Sequence, residues 1–130
     1  DGEDKEKLQN LIKEYEVYDV FFIKESKKNP YPYLKKGDLF VLTSRYEGMP
    51  ISVTEAQILG VVPVVPNYTS ANEQILNNID GLVVGKSAQE IYKGIYKIYT
   101  DKNFYQKLKE GISNKKFLYE YNMKDFYNLI

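Results

Sequence analysis

The amino-acid sequence predicts an α/β domain in three layers, in which helices cover both faces of a parallel sheet. Short apolar runs rich in β-branched and aromatic residues alternate with stretches of helical period, and this alternation is typical of a parallel sheet. The length of 130 residues is close to the commonest size of a single domain. Four runs are predicted as strands: Tyr18 to Lys24, Leu39 to Leu42, Val61 to Val65 and Leu82 to Val84.

The helices are predicted from apolar residues that recur at helical spacing and from residues that start or stop a helix. Leu8, Leu11, Ile12 and Tyr15 share one face of the stretch from Asp4 to Tyr15. The other predicted helices are a single turn from Tyr33 to Gly37, a helix that begins near Pro50 to Ser52, Ala71 to Asn78, two helices that begin near Ser87 and Asp101, and Met123 to Ile130.

Three Ser-x-x-Glu pairs occur where helices are expected to begin, and each fits the capping box. In that motif the serine oxygen accepts from an amide of the first turn, and the glutamate accepts from the amide of the serine. The pairs support the helix starts independently of the apolar period. They are Ser52 with Glu55, Ser70 with Glu73, and Ser87 with Glu90.

The charge and composition of the chain argue against several classes of function. Eighteen basic and eighteen acidic residues leave no net charge, so nothing favours a nucleic-acid partner. The chain contains no cysteine and no histidine, which excludes a thiolate nucleophile, a histidine-based triad and the usual zinc sites within it. Tyrosine and lysine interleave from Lys93 to Tyr127, but the helical spacing of these tyrosines predicts core packing rather than stacking on bases.

The apolar runs of the chain are short, and none approaches the roughly 18 residues of a membrane-spanning helix. We also expect no signal peptide and a cytoplasmic protein. The chain begins Asp-Gly-Glu, without a methionine, and opens almost directly into a helix. We interpret residues 1–130 as a single domain that is a fragment of a longer protein.

The segment from Asp38 to Gly60 is where we expect a functional site. It combines a buried strand, a polar loop from Thr43 to Met49 and a helix. Open α/β sheets bind ligands beyond the carboxyl ends of their strands, where loops run into helix N-termini. Backbone amides from Gly48 to Ser52 would point out of such a helix start and favour an anion such as phosphate. No lysine follows as in a P-loop, which argues against an NTPase.

Two carboxylates flank the expected anion site, Glu47 in the loop and Glu55 in the first helical turn. The local sequence favours a capping role for Glu55, because Glu73 and Glu90 occupy the same pattern. For Glu47, a solvated carboxylate paired with Arg45 and a carboxylate that faces a ligand both remain open. A carboxylate accepts hydrogen bonds from hydroxyls, so phosphate and hydroxyls together suggest a sugar nucleotide.

The stretch Glu47-Gly-Met-Pro-Ile-Ser-Val-Thr-Glu55 resembles the Glu-x7-Glu motif of retaining glycosyltransferases of family 4, which have the GT-B fold. The resemblance implies the C-terminal, donor-nucleotide domain of such an enzyme, which is the Rossmann-like second half of the GT-B fold. It covers nearly the whole chain in order and spacing. The other similar segments are Asp1-Gly-Glu with the helix after it, Asn29 to Tyr33 before Asp38-Leu-Phe-Val-Leu, Gly60-Val-Val-Pro-Val-Val, Glu73-Gln-Ile through Asp80-Gly-Leu-Val-Val, and Tyr119-Glu-Tyr-Asn-Met.

The resemblance implies roles for individual residues. Glu47 would face the donor sugar near its anomeric carbon and help to stabilise positive charge, so it is the expected catalytic residue. Glu55 would accept from the ribose hydroxyls. The other substrate-binding residues that the resemblance implies are Gly48, Met49, Ile51 and Ser52 through their backbone amides, Pro50 through the shape of the turn, and Ile23 and Lys24 beside the base.

The resemblance also implies a hexosyltransferase that uses a UDP- or GDP-sugar as donor and needs no cofactor and no metal. The Arg and Lys that hold the diphosphate would lie upstream of this chain. A glycan or lipid-linked acceptor would bind an N-terminal domain, on which the last helix, 123–130, would pack and through which any membrane association would arise. We therefore expect the fragment alone to be inactive, and the complete enzyme to serve polysaccharide or glycolipid biosynthesis.

The chain departs from the family at one place, and two alternative functions remain open. Where many members have a Gly-Gly pair, this chain has Thr69-Ser70, which leaves the donor contacts there undefined. A sugar-nucleotide epimerase of the same fold would need further acid–base side chains, often histidines, which are absent from the chain. The second alternative is a non-catalytic module that binds a sugar nucleotide. A receiver-like signalling module would need an acidic cluster that the stretch from Tyr18 to Lys24 lacks.

Overall fold

A computed structural model describes residues 2–44 and 46–115 of the chain. These residues fall into two compact units, one that ends at Pro30 and one that begins at Tyr31. The predicted helix from Met123 to Ile130 lies outside them. In chain order, the described elements are α1 (Lys5–Glu14), α2 (Tyr31–Leu34), β1 (Leu39–Val41), α3 (Ile51–Ile58), β2 (Val62–Pro66), α4 (Ala71–Gln74), β3 (Leu82–Val84), α5 (Ala88–Thr100) and α6 (Lys102–Asn114).

The three strands form one parallel sheet in the order β1-β2-β3. Leu39 lies opposite Val62 across the first pair of strands, and Val64 lies opposite Leu82 across the second. β2 is therefore the central strand, and all of its residues are buried. The predicted parallel sheet is confirmed. β3 has its predicted bounds, and the ends of β1 and β2 differ from theirs by one residue.

Helices cover both faces of this sheet. Since side chains along a strand point alternately to opposite faces, β2 contributes to a core on each side. Val62 and Val64 pack in the core on the side of α5 and α6, whereas Val65 packs in the core on the side of α3 and α4. The three-layer prediction is confirmed. The buried helical side chains are Ile98, Leu108 and Ile112 in the first core, and Val53 and Ala71 in the second.

Two glycines allow α5 and α6 to pack closely against the rest of the domain. A Cβ atom on Gly94 would lie 2.6 Å from Cγ1 of Val84, and one on Gly111 would lie 1.9 Å from the carbonyl oxygen of Ile79. Both distances are far below van der Waals contact. The close approach of each helix therefore depends on a residue without a side chain.

One of the three predicted capping boxes forms. The amide of Glu90 donates to the hydroxyl oxygen of Ser87 at 3.2 Å, and the amide of Ser87 donates to the carboxylate of Glu90 at 3.1 Å. The boxes predicted at Ser52 and Ser70 are wrong. α3 begins one residue before Ser52 with Pro50 as its N-cap, and the hydroxyl of Ser70 donates to a carbonyl oxygen in the loop after β1 instead.

The strand predicted from Tyr18 to Lys24 does not form, and this prediction is wrong. The amides of Val20 and Phe21 donate to the carbonyl oxygen of Val17 at 3.2 and 2.8 Å, which makes a turn. The composition of the run favours a strand, but a strand also needs a neighbour that completes its hydrogen bonds. Among the described residues, the sheet consists of β1, β2 and β3, and none of these pairs with the run.

Two helices differ from their predicted bounds by more than one residue. α4 ends at Gln74, before the predicted end at Asn78, because the chain is extended at Ile75 and the side chain of Asp80 accepts from the next amide at 2.9 Å. The turn predicted to begin at Tyr33 begins at Tyr31. This turn includes Pro32, and a proline is tolerated in the first turn of a helix because the first-turn amides have no intrahelical partner.

Candidate functional site

The loop that follows β1 and the helix α3 together contain most of the predicted site residues. The loop leads from the carboxyl end of the strand to the start of α3. The side chains of Tyr46, Met49 and Ile51 are exposed by 88%, 52% and 74%, whereas Glu47 is half-buried. The loop thus partly buries a carboxylate while it leaves large apolar side chains at the surface.

The start of α3 has no side-chain cap. Its N-cap is Pro50, whose side chain makes no capping hydrogen bond, and the amide of Val53 donates to the Pro50 carbonyl oxygen at 3.2 Å. Ile51 and Ser52 precede Val53 in the first turn, where amides lack intrahelical partners. Together with the helix dipole, these amides make the start of α3 favourable for an anion.

Glu55 contacts a tyrosine and does not cap α3. The hydroxyl of Tyr31 donates to Oε1 of Glu55 at 2.7 Å. This hydrogen bond, burial and the charge of the carboxylate all raise the pKa of the Tyr31 phenol. The third helical position, from which a capping glutamate reaches back, is Val53. The preference for a capping role of Glu55 is therefore wrong.

Glu47 lies close enough to Tyr68 to affect its ionisation. Tyr68 follows β2 and is only 4% exposed. Burial raises the pKa of the Tyr68 phenol, and the negative charge of Glu47 raises it further. The loops after β1 and β2 therefore meet at the carboxyl edge of the sheet. A pair between Glu47 and Arg45 stays untested, because Arg45 lies outside the described residues.

Residues after β2 hold the loop after β1 through polar contacts. The hydroxyl of Ser70 donates to the carbonyl oxygen of Gly48. The side-chain nitrogen of Gln74 donates to the carbonyl oxygen of Pro50 and to the hydroxyl oxygen of Thr54, both at 2.9 Å. The loop and the start of α3 are thus fixed to the neighbouring segment at two points.

Sequence reasoning missed the contacts of Tyr31, Tyr68 and Gln74. The pairs of Tyr31 with Glu55 and of Gln74 with Pro50 each join residues that are 24 positions apart. Strand and helix periods contain no information about pairs at such a distance. The Thr69-Ser70 pair was the one available signal, because it departs from the expected pattern at the place where Ser70 contacts the loop.

Residues 1–115 match the model of a protein family described as Glycosyl transferases group 1. The chain belongs to this family. The resemblance of the stretch from Glu47 to Glu55 to a glycosyltransferase is therefore confirmed, whereas family 4 and the retaining mechanism stay predictions.

Curated relatives of this group 1 glycosyl transferase include three bacterial or archaeal proteins. An uncharacterized glycosyltransferase of Methanocaldococcus jannaschii is 34% identical over 76 residues, which are 58% of this chain and 19% of the relative. The UDP-Gal:alpha-D-GlcNAc-diphosphoundecaprenol alpha-1,3-galactosyltransferase of Escherichia coli is 41% identical over 51 residues, 39% of this chain and 13% of the relative. The amylovoran biosynthesis glycosyltransferase AmsD of Erwinia amylovora is 28% identical over 92 residues, 71% of this chain and 26% of the relative. The chain thus spans a minor part of each relative.

Solved structures share the fold of the chain. Sucrose-phosphate synthase from Thermosynechococcus elongatus superposes with a TM-score of 0.76 at 20% identity, over 98% of this chain and 34% of that one. TarM superposes with a TM-score of 0.73 at 26% identity, over 98% of this chain and 27% of that one. These likenesses confirm the predicted Rossmann-like class of a GT-B glycosyltransferase.

The predicted site residues of this glycosyl transferase domain fall into two groups. Those from Glu47 to Glu55 lie together on the loop after β1 and on α3. Ile23 and Lys24 belong to the unit that ends at Pro30, where Nζ of Lys24 lies 5.5 Å from the centre of the Phe22 ring. Their contact with a nucleotide base stays a prediction.

A buried polar cluster joins α3 to the end of α6. Nζ of Lys115 lies 2.9 Å from Oδ2 of Asp80, and the side-chain nitrogen of Gln57 donates to the carbonyl oxygen of Asp80 at 3.0 Å. Gln57 and Asp80 are each only 1% exposed. Because burial of an unpaired carboxylate is costly, the cluster fixes how these segments pack. Sequence reasoning missed it.

The described part of the chain contains neither a metal-ligand cluster nor a membrane-spanning helix. Among residues 2–44 and 46–115, no group of three acidic side chains is placed to hold a metal ion. Over the same ranges, no helix has both the length and the apolar character needed to cross a bilayer. The predicted independence from metal stays a prediction.

Proposed function

We propose that this chain is the donor-binding domain of a retaining hexosyltransferase. It binds a UDP- or GDP-sugar, and the complete enzyme transfers the sugar to a glycan or lipid-linked acceptor in polysaccharide or glycolipid biosynthesis. The observation that best supports this proposal is the uncapped start of α3, which the carboxylates of Glu47 and Glu55 flank. In a group 1 glycosyl transferase, this arrangement suits a phosphate and sugar hydroxyls at one place.

The diphosphate of the donor binds at the start of α3. The amides of Ile51 and Ser52 lie in the uncapped first turn, and we assign the amides of Gly48 and Met49 in the preceding loop to the same ligand. Pro50 has no amide hydrogen and only shapes the turn. Gly48 is exposed, and a Cβ atom added there would meet nothing within 4 Å, so a ligand can approach its backbone directly.

The ribose of the donor binds to Glu55. An ionised carboxylate accepts hydrogen bonds from hydroxyls more strongly than a neutral oxygen does. Tyr31 donates to one oxygen of this carboxylate at 2.7 Å and thereby orients it. Ile23 and Lys24 are the residues that we assign to the base.

Glu47 acts at the anomeric carbon of the donor sugar. When the bond between this carbon and the diphosphate oxygen breaks, positive charge develops on the sugar ring. A carboxylate placed beside the ring stabilises that charge, and it does so more strongly where water is partly excluded. The half-buried position of Glu47 fits this role.

The acceptor binds a domain of the complete enzyme that lies outside this chain. That domain also connects the enzyme, which works in the cytoplasm, to the membrane. No metal ion is required, since the positive end of the α3 dipole faces the diphosphate. The name of the Escherichia coli relative specifies a UDP-sugar and a diphosphoundecaprenol acceptor, which supports these donor and acceptor classes.

An NMR titration of the chain tests the proposal. We expect UDP or GDP, with and without an attached hexose, to shift the amides from Glu47 to Glu55 and those of Ile23 and Lys24 saturably. ADP is the comparison that separates base recognition from diphosphate binding. EDTA should leave the titration unchanged. An absence of shifts with every nucleotide would contradict the proposal for this chain.

Variants separate the two carboxylates in that titration. Glu55→Gln should weaken nucleotide binding by roughly 1–3 kcal/mol, the size of a lost charged hydrogen bond. Glu47→Ala should leave binding of the free nucleotide nearly intact and severely reduce transfer in the complete enzyme. Glu73→Gln is a matched control, because Glu73 is exposed on α4. Full transfer activity after Glu47→Ala would remove Glu47 from the mechanism.

A further inference from the structure

We infer that Gln74 is a positioning residue that fixes the start of α3 for donor binding. Gln74 lies at the end of α4, outside the Glu-x7-Glu motif. The inference rests on the proposed function, since it assigns Gln74 a role in the same site. Gln74 would control the direction of the backbone amides at the start of α3 without itself touching the sugar nucleotide.

Both ends of the Gln74 side-chain amide are engaged. Its nitrogen donates to the carbonyl oxygen of Pro50 and to the hydroxyl oxygen of Thr54, both at 2.9 Å. Its oxygen accepts from the hydroxyl of Tyr68 at 2.6 Å. Gln74 is 8% exposed and Tyr68 is 4% exposed. A buried amide with partners at both ends is held in one orientation, because any other would leave buried polar atoms unpaired.

The carbonyl group that Gln74 binds controls the direction of the donor amides. Pro50 is the N-cap of α3, and its carbonyl oxygen also accepts from the amide of Val53 at 3.2 Å. The peptide plane that carries this carbonyl also carries the amide of Ile51. A contact that fixes the Pro50 carbonyl therefore fixes the direction of the first amide of α3.

The backbone of Gln74 is held in place by a hydrogen bond from Lys115. Nζ of Lys115 donates to the carbonyl oxygen of Gln74 at 2.5 Å and lies 2.9 Å from Oδ2 of Asp80. Asp80 is 1% exposed. The Gln74 amide thus acts from a fixed point in the packed domain, as a residue that sets the geometry of a binding site must.

Only an amide satisfies all the partners of this side chain. Glutamate at this position would keep an acceptor for Tyr68, but its ionised carboxylate could not donate to the carbonyl of Pro50. Leucine would remove both functions at similar volume. The variants Gln74→Glu and Gln74→Leu therefore separate the donating end from the accepting end, and Tyr68→Phe removes only the donor to the accepting end.

The test combines nucleotide affinity with amide hydrogen exchange on the chain of 130 residues. We expect Gln74→Leu and Gln74→Glu to weaken UDP or GDP binding about tenfold, the size of one lost hydrogen bond to a buried group. Exchange at the amide of Val53 should accelerate by a similar factor, while exchange at the central-strand residue Val64 should stay unchanged. Gln106→Leu is the matched control, since Gln106 is exposed on α6.

Two results would overturn the inference. One is a Gln74→Leu variant whose affinity and Val53 exchange equal those of the Gln106→Leu control. The other is exchange that accelerates equally at Val53 and Val64, which would show a general loss of stability. If the unaltered chain binds neither UDP nor GDP, the proposed function fails, and the exchange measurement still decides whether Gln74 fixes the turn.

Discussion

The hydroxyl of Tyr31 donates a 2.7 Å hydrogen bond to Oε1 of Glu55, which joins the single turn of α2 to the second turn of α3. A carboxylate held in this way has already lost much of its rotational freedom. Binding of ribose hydroxyls would then cost less conformational entropy than binding to a freely rotating side chain. Tyr31 thus prepares the group to which we assign the ribose.

Tyr31→Phe should weaken binding of UDP or GDP about 3- to 10-fold, since it removes one hydrogen bond that orients Glu55. Binding of inorganic pyrophosphate, which has no ribose, should not change. NMR titrations with each ligand measure both affinities. Tyr33→Phe is the control, because Tyr33 is 55% exposed on the same helical turn. An equal loss of affinity for nucleotide and pyrophosphate would place the effect elsewhere in the site.

Glu47→Gln should lower the pKa of the Tyr68 phenol, because the negative charge of Glu47 helps to raise it. Burial alone should keep that pKa above the usual value near 10. Tyrosine ring-carbon NMR over a pH series measures the change. Glu73→Gln should have no such effect, since burial and Glu47 are the causes of the raised pKa. An unchanged Tyr68 pKa in Glu47→Gln would mean that the two loops do not meet as described.

The raised pKa of Tyr68 also predicts how stability depends on pH. The folded state favours the neutral phenol, so the contribution of Tyr68 is fully present below its unfolded pKa near 10. It is lost as the pH rises through the higher folded pKa. Urea unfolding above pH 10 should therefore show a steeper loss of stability in the unaltered chain than in Tyr68→Phe. Equal slopes would contradict the buried position of this phenol.

The sheet and the long helices could be predicted because each depends on the period of its own residues. The cap of α5 at Ser87 was predicted correctly for the same reason, since its partner is in the first turn. The prediction of a strand from Tyr18 to Lys24 was wrong, because a strand also requires a neighbouring strand, which local composition does not reveal. The contacts of Glu55 and Gln74 with residues far along the chain depend on the complete fold, so no local pattern could indicate them.

Asp80→Ala should destabilise the domain by roughly 3 kcal/mol, the lower end of the range for breaking a buried ion pair. The lower end applies because the side chain of Lys115 keeps 21% exposure. The substitution removes the charge partner of the Lys115 ammonium and one of the two acceptors of the Gln57 side-chain nitrogen, which keeps its hydrogen bond to the backbone carbonyl oxygen of residue 80. Urea denaturation at neutral pH measures the change in the free energy of unfolding.

A double-mutant cycle tests whether this loss arises from the pair. Combining Asp80→Ala with Lys115→Met should cost less than the sum of the two single changes, since the second substitution removes the charge that the first leaves unpaired. Simple additivity would show that Asp80 acts through its other contacts, such as the amide of Leu76 at 2.9 Å, and not through Lys115.

Gly111→Ala should destabilise the domain, although alanine is the better helix former by about 1 kcal/mol. The added Cβ atom would lie 1.9 Å from the carbonyl oxygen and 2.6 Å from the carbonyl carbon of Ile79. Both are backbone atoms, so the overlap can be relieved only if α6 moves away from the segment that contains Asp80. Overpacking of this kind typically costs about 1–3 kcal/mol, and we expect the upper part of that range because the neighbour cannot change rotamer.

Ser113→Ala is the matched control for this substitution. Ser113 is exposed on the same helix, so its replacement should change the free energy of unfolding by no more than about 0.5 kcal/mol. Thermal and urea denaturation of both variants give the comparison. Because displacement of α6 would also draw Lys115 away from Asp80, Gly111→Ala and Asp80→Ala should combine with less than additive effect. A stabilised Gly111→Ala variant would mean that α6 does not approach the Ile79 backbone as closely as described.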